Sequence, residues 1–224
     1  MTCNMLLKYF LLCACVTLQA RSYKILLAVP MASRSLHNLF TSIGESLANA
    51  DHQVTLLSNF NSSLNHPNFR HLNVLGEKPL PVDNIFEMKA MADAMEMFRK
   101  NTIYIGETMW TNPSVLELWK TRRSFDAILI ASYLNEISMP FLMDYNGSFM
   151  LVSTPGVEYF AISASGNWLP PAVVPAILLP YDEHMTFLER CVNLVTLLIM
   201  RVYYPAVMHS EQEAMLHKYF PNME

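Results

Sequence analysis

Residues 23–58, YKILLAVPMASRSLHNLFTSIGESLANADHQVTLLS, decide the fold. Lys24 to Val29 is a short apolar run closed by Pro30. Leu39, Ile43, Leu47 and Ala50 recur at helical spacing, and Val54 to Leu57 is a second apolar run. Two interior strands joined by a crossover helix make one parallel βαβ unit, and in open sheets of that kind ligands gather where strands end and helices begin. The loop from Pro30 to Asn38 is therefore where chemistry is expected. It holds no glycine, so neither a Gly-x-Gly-x-x-Gly dinucleotide turn nor a P-loop is present. It offers Ser33, Arg34, Ser35 and His37 instead, His37 being an imidazole suited to proton transfer near neutral pH.

Outward from this unit, Leu72 to Leu75 reads as a third short strand and Phe125 to Ala131 (FDAILIA) as an interior strand. Phe149 to Val152 reads as a further strand, so Val29, Ile130 and Val152 are expected to end at one cleft. Helices are expected over Phe86 to Asn101, around Asn112-Pro113 within Thr108 to Lys120, over Tyr133 to Met143, and over Thr186 to Val207. On the first of these Met88, Met91, Met95 and Phe98 share a stripe, and pliable methionines suit an irregular apolar ligand as well as an ordinary core. Residues 164–180 carry Gly166, Pro170, Pro171, Pro175 and Pro180, which forbid long regular structure and imply a loop crossing the domain.

The 224 residues suffice for one sizeable α/β domain. A net charge of -4 and no basic stripe exclude a nucleic-acid surface and leave small molecules or protein as partners. Residues 1–20 read as a secretory signal, with Lys8, an apolar stretch from Tyr9 to Leu18 and a small residue at Ala20. The domain is then 21–224, with the crossing loop at 164–180 and a helical segment at 186–207. Cys3, Cys13 and Cys15 fall inside the signal, leaving Cys191, which reads as a core thiol. No metal ligand spacing is present. Asn61-Ser62-Ser63 and Asn146-Gly147-Ser148 are glycosylation acceptors that agree with a luminal route. Asn193 interrupts the apolar run from Val192 to Met200, and no run after the signal reaches membrane-spanning length.

The leader, YKILLAVP, DHQVTLLS, FDAILIASYLNE and LLPYDEHMTFLERCVNLV resemble, in order and spacing, the N-terminal half of arthropod UDP-glycosyltransferases. The resemblance implies an α/β fold, a Rossmann-like parallel sheet with flanking helices, as in the N-terminal domain of a GT-B-type glycosyltransferase. The second, donor-binding domain is expected to be absent from a chain of this length. It further implies inverting transfer of a sugar from UDP-sugar, the co-substrate, to a hydroxyl of a small lipophilic acceptor. A loop histidine would act as base and a carboxylate after the central strand would balance its charge. Laid on Ser35 to Phe40 without gaps, the family histidine falls on Leu36, one place before His37, and the family acid falls on Ala131. Asp126 lies at the opposite end of that strand and Glu136 falls on the following helix, so neither is a natural substitute.

The candidate site residues are thus His37 as base, with Ser35, Met88, Met91, Met95 and Trp110 around the acceptor. No cofactor is expected to bind this chain alone. Partners are a small lipophilic acceptor and a donor-binding half or an intact transferase, with membrane association through the family's C-terminal anchor. The expected compartment is the endoplasmic reticulum lumen, or the exterior if the protein ends at Glu224. The competing reading is an inactive module that binds lipophilic ligands or modulates a transferase. A secreted hydrolase finds no Gly-x-Ser-x-Gly elbow, paired carboxylates or zinc motif, and His184 and His209 stand alone.

Overall fold

The computed structural model describes residues 21–76, 91–132, 134–154, 169–176, 179–203, 206 and 209–222. Strand β1 (Lys24–Val29) is central in a five-stranded sheet. On one side lie β2 (Gln53–Ser58) and β3 (Phe69–Asn73), on the other β4 (Ala127–Ala131) and β5 (Ser148–Val152). Every pairing is parallel, with Leu27 beside Leu56 and Leu129. The fold is α/β and Rossmann-like, as expected.

A parallel sheet needs cover on both faces, and alternation along the strands provides two apolar faces. Ile25, Leu27, Val54 and Leu56 point to one, Leu26, Ala28, Leu57 and Ile128 to the other. Helix α1 (Arg34–Asn49) covers the first. Helices α2 (Met91–Thr111) and α3 (Pro113–Lys120) cover the second. After α4 (Phe187–Tyr203) the chain returns to that second face with α5 (Ser210–Tyr219). The chain steps from β1 to β2 and β3, then crosses back to β4 and β5. Right-handed crossovers in opposite directions put their helices on opposite faces, which accounts for the three layers. Each fully buried Leu or Ile in these layers contributes about 1.5–3 kcal/mol.

The inner stripe of α1 is not the one expected. Leu39 is 41% exposed and Ala50 is only the C-cap, while His37, Phe40, Gly44 and Ala48 face the sheet. Gly44 sets this orientation: a Cβ there would stand 2.5 Å from Phe69 Cε2, so the helix approaches the sheet most closely where it has no side chain. The third strand begins at Phe69, earlier than the Leu72 expected, because Arg70, His71 and Asn73 hide its pattern. Helix α2 runs on through Thr111. Asn112 then accepts a bond from Ser114 N–H at 3.0 Å and caps α3, with Pro113 in its first turn. The start of the expected helix, 86–90, lies outside the described residues.

In place of an α-helix over Tyr133 to Met143, Glu136–Leu142 forms a 3-10 helix. Pro140 inside it lacks the N–H that a longer α-helix would need. Residues 169–176 and 179–180 contain neither helix nor strand, and 164–168 lie outside the described residues. Cys191 is exposed, which corrects its reading as a core thiol. Helix α4 packs inward through Asn193 and Leu197, and Cys191 projects from its other side.

Candidate functional site

Strand order reverses between β1 and β4, so the loops leaving these two strands flank the switch point at which ligands bind open α/β sheets. Two buried asparagines fix the first loop. Met31 N–H donates to Asn135 Oδ1 at 2.8 Å, and Asn135 Nδ2 returns a 3.4 Å bond to Met31 O. Ala32 N–H donates to Asn59 Oδ1 at 3.2 Å, and Asn59 Nδ2 donates to Ala32 O at 3.1 Å. Side-chain amides thereby continue the strand pairing of β1 past its end, towards β2 on one side and β4 on the other. Leu134, buried beside Asn135, has φ of 54°, a left-handed conformation unusual for a bulky residue and common at functional loops. At the tip of β4, Ser132 N–H donates to Val152 O at 3.0 Å. Its buried Oγ has no hydrogen-bond partner among the described residues.

Beyond the pinned loop, Ser33, Arg34 and Ser35 are exposed. Ser33 Oγ accepts from Leu36 N–H at 3.3 Å as the N-cap of α1 and lies 3.0 Å from Ser35 Oγ. The Arg34 guanidinium lies 4.5 Å from the Phe60 ring centroid. These hydroxyls and this cation form the polar wall of the switch point.

His37 points elsewhere. It is 3% exposed, and its Nδ1 lies 2.9 Å from Ser58 Oγ, at the end of β2. The same hydroxyl lies 3.1 Å from His71 Nε2 on β3 and donates to Phe60 O at 3.1 Å. With the serine proton on Phe60 O, both imidazoles donate to Ser58 Oγ, and the remaining His37 nitrogen, Nε2, lies 3.5 Å from Thr41 Oγ1. Burial, and then the positive charge of Arg34, hold the His37 pKa below its ordinary value against the pull of the Asn61 carbonyl. Burial and then His37 do the same for His71, against the Phe60 carbonyl. Neither ring pairs with a carboxylate among the described residues. One residue along a helix turns a side chain by about 100°; His37 thus faces the sheet, and Leu36, at the aligned position, is only partly buried.

The other candidates scatter. Ser35 stays at the switch point. Trp110 does not line it: the indole is 1% exposed, donates from Nε1 to Ile137 O at 3.1 Å and packs edge-on against Phe220 at 4.7 Å, a core residue on the second face. Met88 lies outside the described residues, and Met91 and Met95 lie on the first turns of α2. Ala131 is buried against the α1 side. Asp126 Oδ2 accepts from Lys24 N–H at 2.7 Å at the far end of the sheet, and Glu136 lies 3.9 Å from His209 Nε2. Asn61 and Asn146 are exposed.

Sequence reasoning missed Asn59 and Asn135, which pin the loop, and Ser58 and His71, which hold His37; only Asn59, just past the end of β2, carries a local signal. Among the described residues no three His, Cys, Asp or Glu are placed to hold a metal ion, and no helix is long and apolar enough to cross a membrane. A cavity of about 500 Å³ opens at the opposite edge of the sheet, lined by Lys24, Gln53, Arg70, Ser114 and Glu117 among others. It sits at the strand N-termini, away from the switch point, where parallel sheets seldom place their ligands.

No family model matches the chain. It is similar to UDP-glucosyltransferase 2 of Dactylopius coccus, 24% identical over 176 residues that cover 76% of this chain and 34% of that protein. It is also similar to UDP-glycosyltransferase UGT5 of Dactylopius coccus, 21% identical over 234 residues, covering 96% of this chain and 43% of that protein. The chain thus spans well under half the length of these curated relatives.

Proposed function

From the premise that this is an arthropod UDP-glycosyltransferase-like chain, we propose that it is the acceptor-holding part of a glycosyl transfer system. A small lipophilic molecule bearing a hydroxyl sits at the β1/β4 switch point, with its hydroxyl among Ser33, Ser35 and Ser132. The observation that carries this reading is the amide clamp of Asn59 and Asn135, which holds the loop after β1 rigidly where an open sheet binds ligands. Ser132 Oγ, buried and without a partner among the described residues, supports it, since a buried hydroxyl without a bond costs about 1–3 kcal/mol and a ligand would supply the missing one.

In this reading the acceptor oxygen displaces UDP from the sugar with inversion, the UDP-sugar being held by a donor-binding half, and the reaction takes place in the secretory lumen. The exposure of Asn61 and Asn146 agrees with N-glycosylation there. The acceptor's proton needs a base, and His37 reaches it only if the first turn of α1 rotates away from the sheet.

A second reading, a non-catalytic module that binds lipophilic ligands or tunes a transferase, is favoured by one observation. The buried His37 is bonded to Ser58, and no carboxylate among the described residues pairs with it to balance an imidazolium. Equilibrium dialysis with a fluorescent hydroxycoumarin, run beside an assay for glucosyl transfer from UDP-glucose, tests both readings. Saturable binding without turnover is expected for the chain alone. Turnover by the chain alone would remove the need for a donor half, and no binding across a panel of phenols and sterols would remove the acceptor site.

A further inference from the structure

Two imidazoles share one hydroxyl in the layer between α1 and the sheet, with His37 Nδ1 and His71 Nε2 at 2.9 and 3.1 Å from Ser58 Oγ. The hydroxyl has a single proton, which it can give to Phe60 O, and two lone pairs, each then open to one ring N–H. This arrangement is complete while both rings are neutral. The groups that face the pair are the Arg34 cation from α1, the hydroxyls of Thr41 and Ser58, and the carbonyls of Phe60 and Asn61. None of these is anionic. The rings themselves stand 5.9 Å apart, so a charge on one opposes a charge on the other.

We propose that the His37–Ser58–His71 relay is an acid-released latch that fastens the first turn of α1 and the turn at 59–61 to the sheet. Both segments border the switch point. Asn59 clamps the loop after β1, and Phe60 packs against both His37 and Arg34. Protonating either ring adds a cation with no counter-charge among the described residues and loosens both segments together. The direction follows from linkage. Both rings titrate below their unfolded value of about 6.5, so the unfolded chain binds more protons in that interval. Their contribution to stability is complete above about pH 6.5 and is lost as the pH falls through the folded values.

The test is amide exchange and thermal unfolding at several pH values between 7.5 and 5.0. The proteins are the wild-type chain and a double variant, His37→Asn with His71→Gln, whose neutral amides keep an N–H near each ring nitrogen's place. In the wild type, exchange at 34–41 and 58–61, corrected for its intrinsic pH dependence, is expected to speed up on acidification. The acceleration is about tenfold for each unit by which the two pKa values together lie below the ordinary one. The double variant is expected to lose that acceleration and the matching fall in thermal midpoint. Equal acid responses in the two proteins would overturn the latch. Should the double variant not fold, imidazole NMR titration of the wild type decides. Two coupled titrations below the ordinary value support the latch, and independent titrations near 6.5 overturn it.

Discussion

Trp110→Ala is expected to lower the unfolding free energy by about 3–5 kcal/mol, the range for emptying a large aromatic site in a packed core. The indole projects from α2 against Phe141 and Phe220, where it is essentially inaccessible. Its loss also strands the Ile137 carbonyl that accepts the Nε1–H bond at 3.1 Å. The surrounding groups are rings and a 3-10 helix containing Pro140, which have little freedom to collapse inward. Urea unfolding of wild type and variant measures the effect, and affinity for the hydroxycoumarin should be unchanged in variant molecules that remain folded. A small loss of stability with a large loss of affinity would return Trp110 to the ligand site.

Asn193→Ala is expected to cost roughly 3 kcal/mol, from three buried bonds at about 1 kcal/mol each. The side chain is fully buried. Its Nδ2 donates to Pro171 O at 2.7 Å and to Val174 O at 2.8 Å, and its Oδ1 accepts from Ala176 N–H at 2.7 Å. One amide thereby satisfies three backbone groups of a proline-rich turn segment that has no helix or strand of its own. Few other described contacts hold α4: Leu197 is buried, whereas Phe187, Leu188, Val195, Ile199 and Val202 are each more than half exposed. Limited proteolysis should show new cleavage in 169–176 in the variant while the sheet stays protected. Unchanged cleavage and unchanged stability would mean the turn is held by something else.

The sequence revealed the sheet wherever burial on both faces left a largely apolar run. Lys24 to Val29, Val54 to Leu57 and Ala127 to Ala131 are such runs, and all three lie at the sheet's centre. It concealed β3 because His71 and Asn73 make polar contacts that a strand pattern does not anticipate. Asn193 breaks the apolar run of α4 as the sequence reads, and the structure adds that the same polar break is a buried tether.

At the candidate site the place was legible and the chemistry was not. The loop after β1 follows from the βαβ pattern alone. Its clamps do not, since Met31 and Asn135 are 104 residues apart and Ala32 and Asn59 are 27 apart. The orientation of His37 depends on a one-residue phase of α1. Gly44 fixes that phase through its contact with Phe69, a strand that pattern reading began too late.

The most direct test of a ligand site at the β1/β4 switch point is amide hydrogen exchange across the chain, with and without bound hydroxycoumarin. Protection is expected at 30–38 and 132–138, on the two loops that Asn135 ties together. Protection confined to the strand N-termini, around Lys24, Gln53, Arg70 and Glu117, would place the ligand in the opposite cavity and contradict the account.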